Sequence, residues 1–99
     1  MGNSRGQRLE RYTVKRSQEV LIVTAEIAGE LDQIAIFKGY SSSLMRPTAF
    51  DPDLPVLPDE AKIVTIDRVF APYNPENPGY IQQGLSWETI QPLLSEMGI

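Results

Sequence analysis

The stretch from Glu19 to Gly39 limits what this chain can become more than any other feature. Leu21, Val23, Ala25 and Ile27 recur at two-residue spacing, which lines them along one face of an extended strand and scatters them around a helix. Val20 and Ile22 make the opposite face apolar as well, at least at its start. A strand apolar on both faces belongs in the middle of a sheet or inside a small barrel. Gly29-Glu30 then fits a two-residue hairpin turn of type II′, because glycine at the first central position accepts a positive φ. The return strand runs from Leu31 to Gly39, with Ile34 and Ile36 on one face and Ala35 and Phe37 on the other. The nucleus of the fold is therefore an antiparallel β hairpin.

The flanking segments extend it. Arg8 to Arg16 reads as an earlier strand, with Tyr12 and Val14 on one face and Arg11, Thr13 and Lys15 on the other, joined through a polar turn at Ser17-Gln18. That would complete a three-stranded meander. Residues 1–7 hold two glycines and no large apolar residue after Met1, and are expected to be a disordered arm. Ala61 to Phe70 is a further strand; its alternation is interrupted at Asp67-Arg68, as beside a bulge or a strand end. Ala71 to Gly79 carries the prolines and asparagines of a turn region. Tyr80 to Gln83 is read as one helical turn closed by Gly84. Ser86 is a good N-cap for a final helix, with Leu85 placed to staple against Ile90. Trp87, Ile90, Leu93, Leu94 and Met97 share one face of that helix, Pro92 is expected to kink it, and Gly98 ends it. The expected fold is α+β, a single domain over residues 8–99. It has a small antiparallel sheet of four to five strands, a meander open or closed into a partial barrel, and a short C-terminal helix.

Between the sheet's two halves lies a segment of different character. Tyr40 to Asp59 contains three consecutive serines and then Pro47, Pro52, Pro55 and Pro58, with Leu44, Met45, Phe50, Leu54, Val56 and Leu57 interspersed. A connection of about 20 residues is long against the usual 4–6 and calls for a functional or a wrapping role. Its apolar content suggests a strap that packs over one end of the sheet.

Composition removes much chemistry. The 99 residues include no cysteine and no histidine, which excludes disulfides, thiolate nucleophiles, Ser-His-Asp triads and Cys- or His-ligated metals. The prolines among Asp51, Asp53, Asp59 and Glu60 match no calcium loop, and no cofactor is expected. No apolar run reaches the about 18 residues of a membrane span and no signal-peptide core is seen, so a cytoplasmic protein is expected. The net charge of −4 hides a division. Arg5, Arg8, Arg11, Lys15 and Arg16 face only Glu10, a net of +4, whereas the rest of the chain carries 4 basic and 12 acidic side chains, a net of −8.

Two binding readings follow. The first is a non-enzymatic interaction module or assembly factor with a protein partner. Its surface would be Gly39, Tyr40, Ser41, Ser42, Ser43 and Arg46, joined by Arg68 and Tyr73. A glycine followed by hydroxyl residues can aim donors at one anion, Arg46 can add a charge-assisted bond, and Arg68 can present a fork to a carboxylate or phosphate. Tyr73, and Tyr80 with it in the turn region, offers a large rigid ring with a polar tip. The alternative is nucleic-acid binding through the basic N-terminal strand, using Arg8, Arg11, Tyr12, Lys15 and Arg16. Asp67-Arg68 could also be a simple structural pair.

Four segments carry a resemblance: Lys38-Gly39-Tyr40-Ser41-Ser42-Ser43-Leu44, Val56-Leu57-Pro58, Ile66-Asp67-Arg68 and Gly84-Leu85-Ser86-Trp87-Glu88. They resemble an uncharacterised family found in cyanobacteria and, as chloroplast-directed proteins, in plants. The resemblance spans roughly residues 9–94, and its most specific piece is the Gly-Tyr-Ser-Ser-Ser-Leu run. It implies a cyanobacterial protein linked to photosynthetic physiology, and it transfers no catalytic residue.

Overall fold

The computed structural model describes residues 5–44, 57, 61–74 and 76–99. In chain order the elements are α1 (Arg5–Lys15), β1 (Glu19–Ile27), β2 (Glu30–Phe37), β3 (Tyr40–Ser43), β4 (Lys62–Phe70), β5 (Tyr80–Leu85) and α2 (Trp87–Glu96). The five strands form one sheet in the order β3-β2-β1-β4-β5, and every neighbouring pair is antiparallel. The sheet is open, with β3 and β5 as its edges. As its two-sided apolarity requires, β1 is central.

Both helices pack on the same face. Leu9 and Tyr12 of α1 and Ile90 and Leu94 of α2 join Leu21, Val23, Ala25, Ile34, Ile36, Ile66 and Leu85 of the sheet in one buried cluster. Leu57 and Ala61 complete it. A Cβ at Gly6 would sit 3.1 Å from the carbonyl oxygen of Leu57, so a side chain there would require Leu57 to give by a few tenths of an ångström.

The segment read as a first strand is therefore helical. Leu9, Tyr12 and Thr13, spaced three and four apart, are fully buried, whereas Val14 is 61% exposed. The period-two reading paired Tyr12 with Val14 and missed Leu9. The arm expected to be disordered over residues 1–7 is helical from Arg5, and residues 1–4 lie outside the described residues. The meander is thus β1-β2-β3, one element later than expected.

Both hairpin turns have two central residues with positive φ: Ala28 (52°) with Gly29 (82°), and Lys38 (49°) with Gly39 (85°). This is the type I′ pattern. The first turn is consequently Ala28-Gly29 and not Gly29-Glu30, since Ile27 pairs directly with Glu30. The second turn converts the supposed end of a strand into a hairpin, so the serine run is β3 and not a loop. At Gly39 the demand is double: its φ is left-handed, and a Cβ there would stand 2.8 Å from Cγ2 of Val14.

Further along, β4 carries a bulge, since Thr24 pairs with Thr65 but Ala25 with Ile63. The bulge puts Ile63 and Ile66 against the same helical layer. Tyr80 to Leu85, expected to start with a helical turn, is strand β5, because Val69 and Ile66 of β4 offer a free edge that local sequence cannot reveal. Ser86 caps α2 as expected, accepting from the Thr89 N–H at 3.1 Å, and Leu85 and Ile90 share the core. The helix continues through Pro92 as one element. It ends in a Schellman motif, with the Ile99 N–H on the Leu94 carbonyl (3.0 Å) and the Gly98 N–H on that of Ser95 (3.1 Å).

Candidate functional site

Three features stand out: a buried polar junction, a row of serines and an uncovered sheet face. The junction forms where α1 crosses the start of β1. The Tyr12 hydroxyl donates to Glu19 Oε1 at 2.6 Å. Arg68, from β4, donates to the same carboxylate through Nε (2.8 Å) and Nη2 (3.1 Å), and Arg16 approaches Oε2 at 3.5 Å. Arg68 also donates to the Gln82 side chain on β5. Burial would push the Glu19 carboxyl up, but the bonds from Arg68 and Tyr12 outweigh it and hold it below the ordinary carboxylate range. Burial and the bond to Glu19 together push Tyr12 up to about 12. The Glu19 bond raises Arg68, which stays charged. Among the described residues no buried side-chain polar atom lacks a partner. Every group in the junction is engaged, so its work is to lock α1 onto the sheet.

The Asp67-Arg68 pair expected from the sequence does not form. Adjacent strand residues point to opposite faces. Arg68 turns towards Glu19, while Asp67 accepts from the Gly84 N–H at 2.8 Å.

The serines divide in the same way. Ser41 and Ser43 stand opposite Ile36 and Ile34, on the helical side. There the Ser41 hydroxyl donates to Glu10 Oε2 at 2.7 Å, and that of Ser43 to both oxygens of Asp32, at 3.0 and 3.2 Å. The Gly39 N–H donates to Thr13 Oγ1 at 2.9 Å. The donors that could have cradled an external anion are thus already directed at the chain's own carboxylates and at α1. Arg46 and the proline-rich stretch lie outside the described residues.

On the other face, β-pairing lines up a row that reaches β5 across a register shift between Arg68 and Val69. Tyr40 stands opposite Phe37, Val20 opposite Val69, and Val69 opposite Tyr80. Val20, Ile22 and Val69 are buried here, and Ala35, Phe37, Ala71 and Tyr73 pack against them. Among the described residues no helix covers this side. The chain after β4 folds back over its centre, tied by the Ala71 N–H to the Gln18 carbonyl and the Phe70 N–H to that of Gly79, both at 2.8 Å. The ends of the row stay open, with Tyr40 79% and Tyr80 45% exposed. The next row holds Ser42, Ala35, Ile22 and Asp67, and beyond it Glu26 faces Lys62, so the face carries little net charge.

Of the expected binding residues, the structure gathers Tyr40, Ser42 and Tyr73 on the open face and turns Ser41, Ser43 and Arg68 inward. Tyr80, a surface candidate like Tyr73, is exposed, and Phe37 was missed. Reading Lys38-Gly39 as a two-residue turn would have continued the alternation and put Phe37 opposite Tyr40. The basic residues lie along α1 on the opposite side of the molecule, apart from Arg16 in the turn that follows. Among the described residues no cluster of acidic side chains could hold a metal, and no helix is long and apolar enough to cross a membrane.

Residues 6–94 match a domain of unknown function, DUF7734. The chain belongs to this family. The match covers the whole sheet, α1 from Gly6 and α2 as far as Leu94. No curated protein and no solved structure matches the chain.

Proposed function

We propose that this DUF7734 protein is a non-enzymatic interaction module that docks a protein partner on the open face of its sheet. The supporting observation is the row from Tyr40 to Tyr80. Two helices bury the centre of one face, while the other leaves aromatic rings in solvent at both ends of an apolar row. Exposed aromatic area of this kind favours association, because rigid rings lose little entropy on binding. The near-neutral charge of the face suits a protein surface better than a polyanion. The internal engagement of Ser41, Ser43 and Arg68 shifts the docking surface away from the serine row and onto Tyr40, Phe37, Tyr73 and Tyr80. We read the protein as an accessory or assembly factor of the cytoplasm of a photosynthetic cell, on the strength of the resemblance described above.

The test is affinity capture from an extract of the native cell, using the wild-type chain, the Tyr40→Ala/Tyr80→Ala variant and Glu88→Ala on the helical side. Both tyrosines are exposed, so the variant should keep its fold, as judged by circular dichroism. A partner retained by the wild type and by Glu88→Ala but lost by the tyrosine variant is the expected result. Equal retention by all three would refute the assignment.

A further inference from the structure

The charge division of the sequence acquires a shape once residues 5–15 are helical. Arg5, Arg8, Arg11 and Lys15 follow one another at spacings of three, three and four, which sets them in a stripe along one flank of α1. At 1.5 Å per residue the stripe is about 15 Å long. The only acid of the helix, Glu10, lies off the stripe and accepts from Ser41 on the β3 side. The stripe is therefore uniformly positive.

Its neighbours hold it in place. Arg5 and Arg8 lie over the Trp87 ring, 5.9 and 5.4 Å from its centroid. Arg8 donates to the Ile99 carbonyl at 3.2 Å and Lys15 to that of Met97 at 2.6 Å, so both cations sit at the carbonyl-rich end of α2. Arg11 is exposed, and no bond to it is seen among the described residues. Beyond Lys15 the stripe runs into an open cleft of about 350 Å³ lined by Lys15, Arg16, Ser17, Gln18 and Glu19. The Glu19 charge is balanced there by Arg68.

We propose that this stripe is a second binding surface, for the phosphate backbone of single-stranded nucleic acid, with Trp87 beneath Arg5 and Arg8 as their support. A regular line of cations about 15 Å long can track the backbone of such a strand. A lipid surface fits less well. An interfacial helix must bury its apolar face in the bilayer, and that of α1, Leu9 and Tyr12, is already fully buried in the core. The surface lies opposite the open sheet face and does not depend on the protein-docking reading, so either can fail alone.

The probe is a fluorescein-labelled 20-nucleotide oligouridine, followed by anisotropy and by the emission of Trp87, the chain's one tryptophan. Engagement of all four cations gives a slope of log K against log salt of about −2.8, or a fall of about 50-fold between 50 and 200 mM. Arg5→Ala/Arg11→Ala leaves the Arg8 and Lys15 bonds to α2 in place and should halve that slope to about −1.4, while loss of the Arg5 contact with Trp87 lowers the melting temperature by no more than about 5 °C. Tyr40→Ala/Tyr80→Ala should change neither affinity nor slope. No binding at 50 mM salt, binding insensitive to salt or to the arginine variant, or loss of binding in the tyrosine variant would each overturn the proposal. So would binding to 1:1 phosphatidylglycerol:phosphatidylcholine vesicles in the absence of RNA binding.

Discussion

Replacing Tyr12 with phenylalanine isolates the junction that fixes α1 to the sheet. The substitution removes one hydroxyl and leaves the ring, so the packing with Leu9 and the strands is conserved. What is lost is a 2.6 Å bond from a fully buried hydroxyl to the Glu19 carboxylate. Bonds to charged groups contribute about 1.5–3 kcal/mol, and Glu19 keeps both bonds from Arg68, so a loss of about 2 kcal/mol at pH 7 is expected. For a chain of this length that lowers the melting temperature by about 10 °C. The pH dependence makes the test specific. Tyr12 titrates at about 12 when folded against 10.0 when free. The folded state therefore holds its proton where the unfolded state has lost it, and stability falls as pH rises from 10 towards 12, by about 1.4 kcal/mol per unit. The Tyr12→Phe variant lacks this loss, while the other tyrosines and the lysines act alike in both proteins. The gap between the two should shrink from about 2 kcal/mol at pH 7 to under about 1 kcal/mol at pH 11. Urea unfolding followed by Trp87 emission at both pH values measures it. A gap that is the same at pH 7 and pH 11, or below about 0.5 kcal/mol at pH 7, would refute the account.

Two further substitutions probe the same frame. Glu19→Gln deprives Arg68 of its counter-charge in a buried setting and should cost about 3–5 kcal/mol at pH 7. The folded Glu19 titrates below its ordinary value of 4.5, so its contribution is present above that pH and is lost as pH falls through the folded value. Thermal melts of the two proteins should draw together as pH falls through that folded value, and parallel curves would contradict the assignment. Gly39→Ala places a methyl 2.8 Å from Val14 Cγ2 at a left-handed φ of +85°, and should cost about 1–3 kcal/mol in chemical denaturation. Adding Val14→Ala relieves the contact but not the backbone, so only part of the loss should return; full recovery would show that the φ costs nothing.

Where each element could be read from the sequence depended on whether its signal was local. Strands β1, β2 and β4 announce themselves by long period-two alternation, and α2 by its cap, its apolar stripe and its Gly98 stop. The α1 segment offers only Leu9, Tyr12 and Thr13 as a helical face, against Tyr12 and Val14 as a strand face. Over so few residues the two periods compete evenly. Burial of Leu9 against the sheet settles it. For β5 the sequence Tyr-Ile-Gln-Gln carries neither pattern; it is a strand because β4 supplies hydrogen-bonding partners. At the binding residues the limit was one turn: unless Lys38-Gly39 is seen as a two-residue reversal, Phe37 and Tyr40 are not cross-strand neighbours.

The sequence by itself determined the hairpin nucleus, the antiparallel α+β class, the absence of cysteine and histidine chemistry, and the concentration of positive charge before Ser17. Those follow from periodicity and composition, which are properties of the chain. The tertiary structure alone decided that the positive charge lies along a helix and that Arg68 answers Glu19 instead of Asp67. It also decided that alternate serines turn inward, and that aromatic rings line the face opposite the two helices. Each of these depends on which residues the sheet register and the helix crossings bring within about 3 Å of one another, a distance at which hydrogen bonds form and which no local pattern encodes.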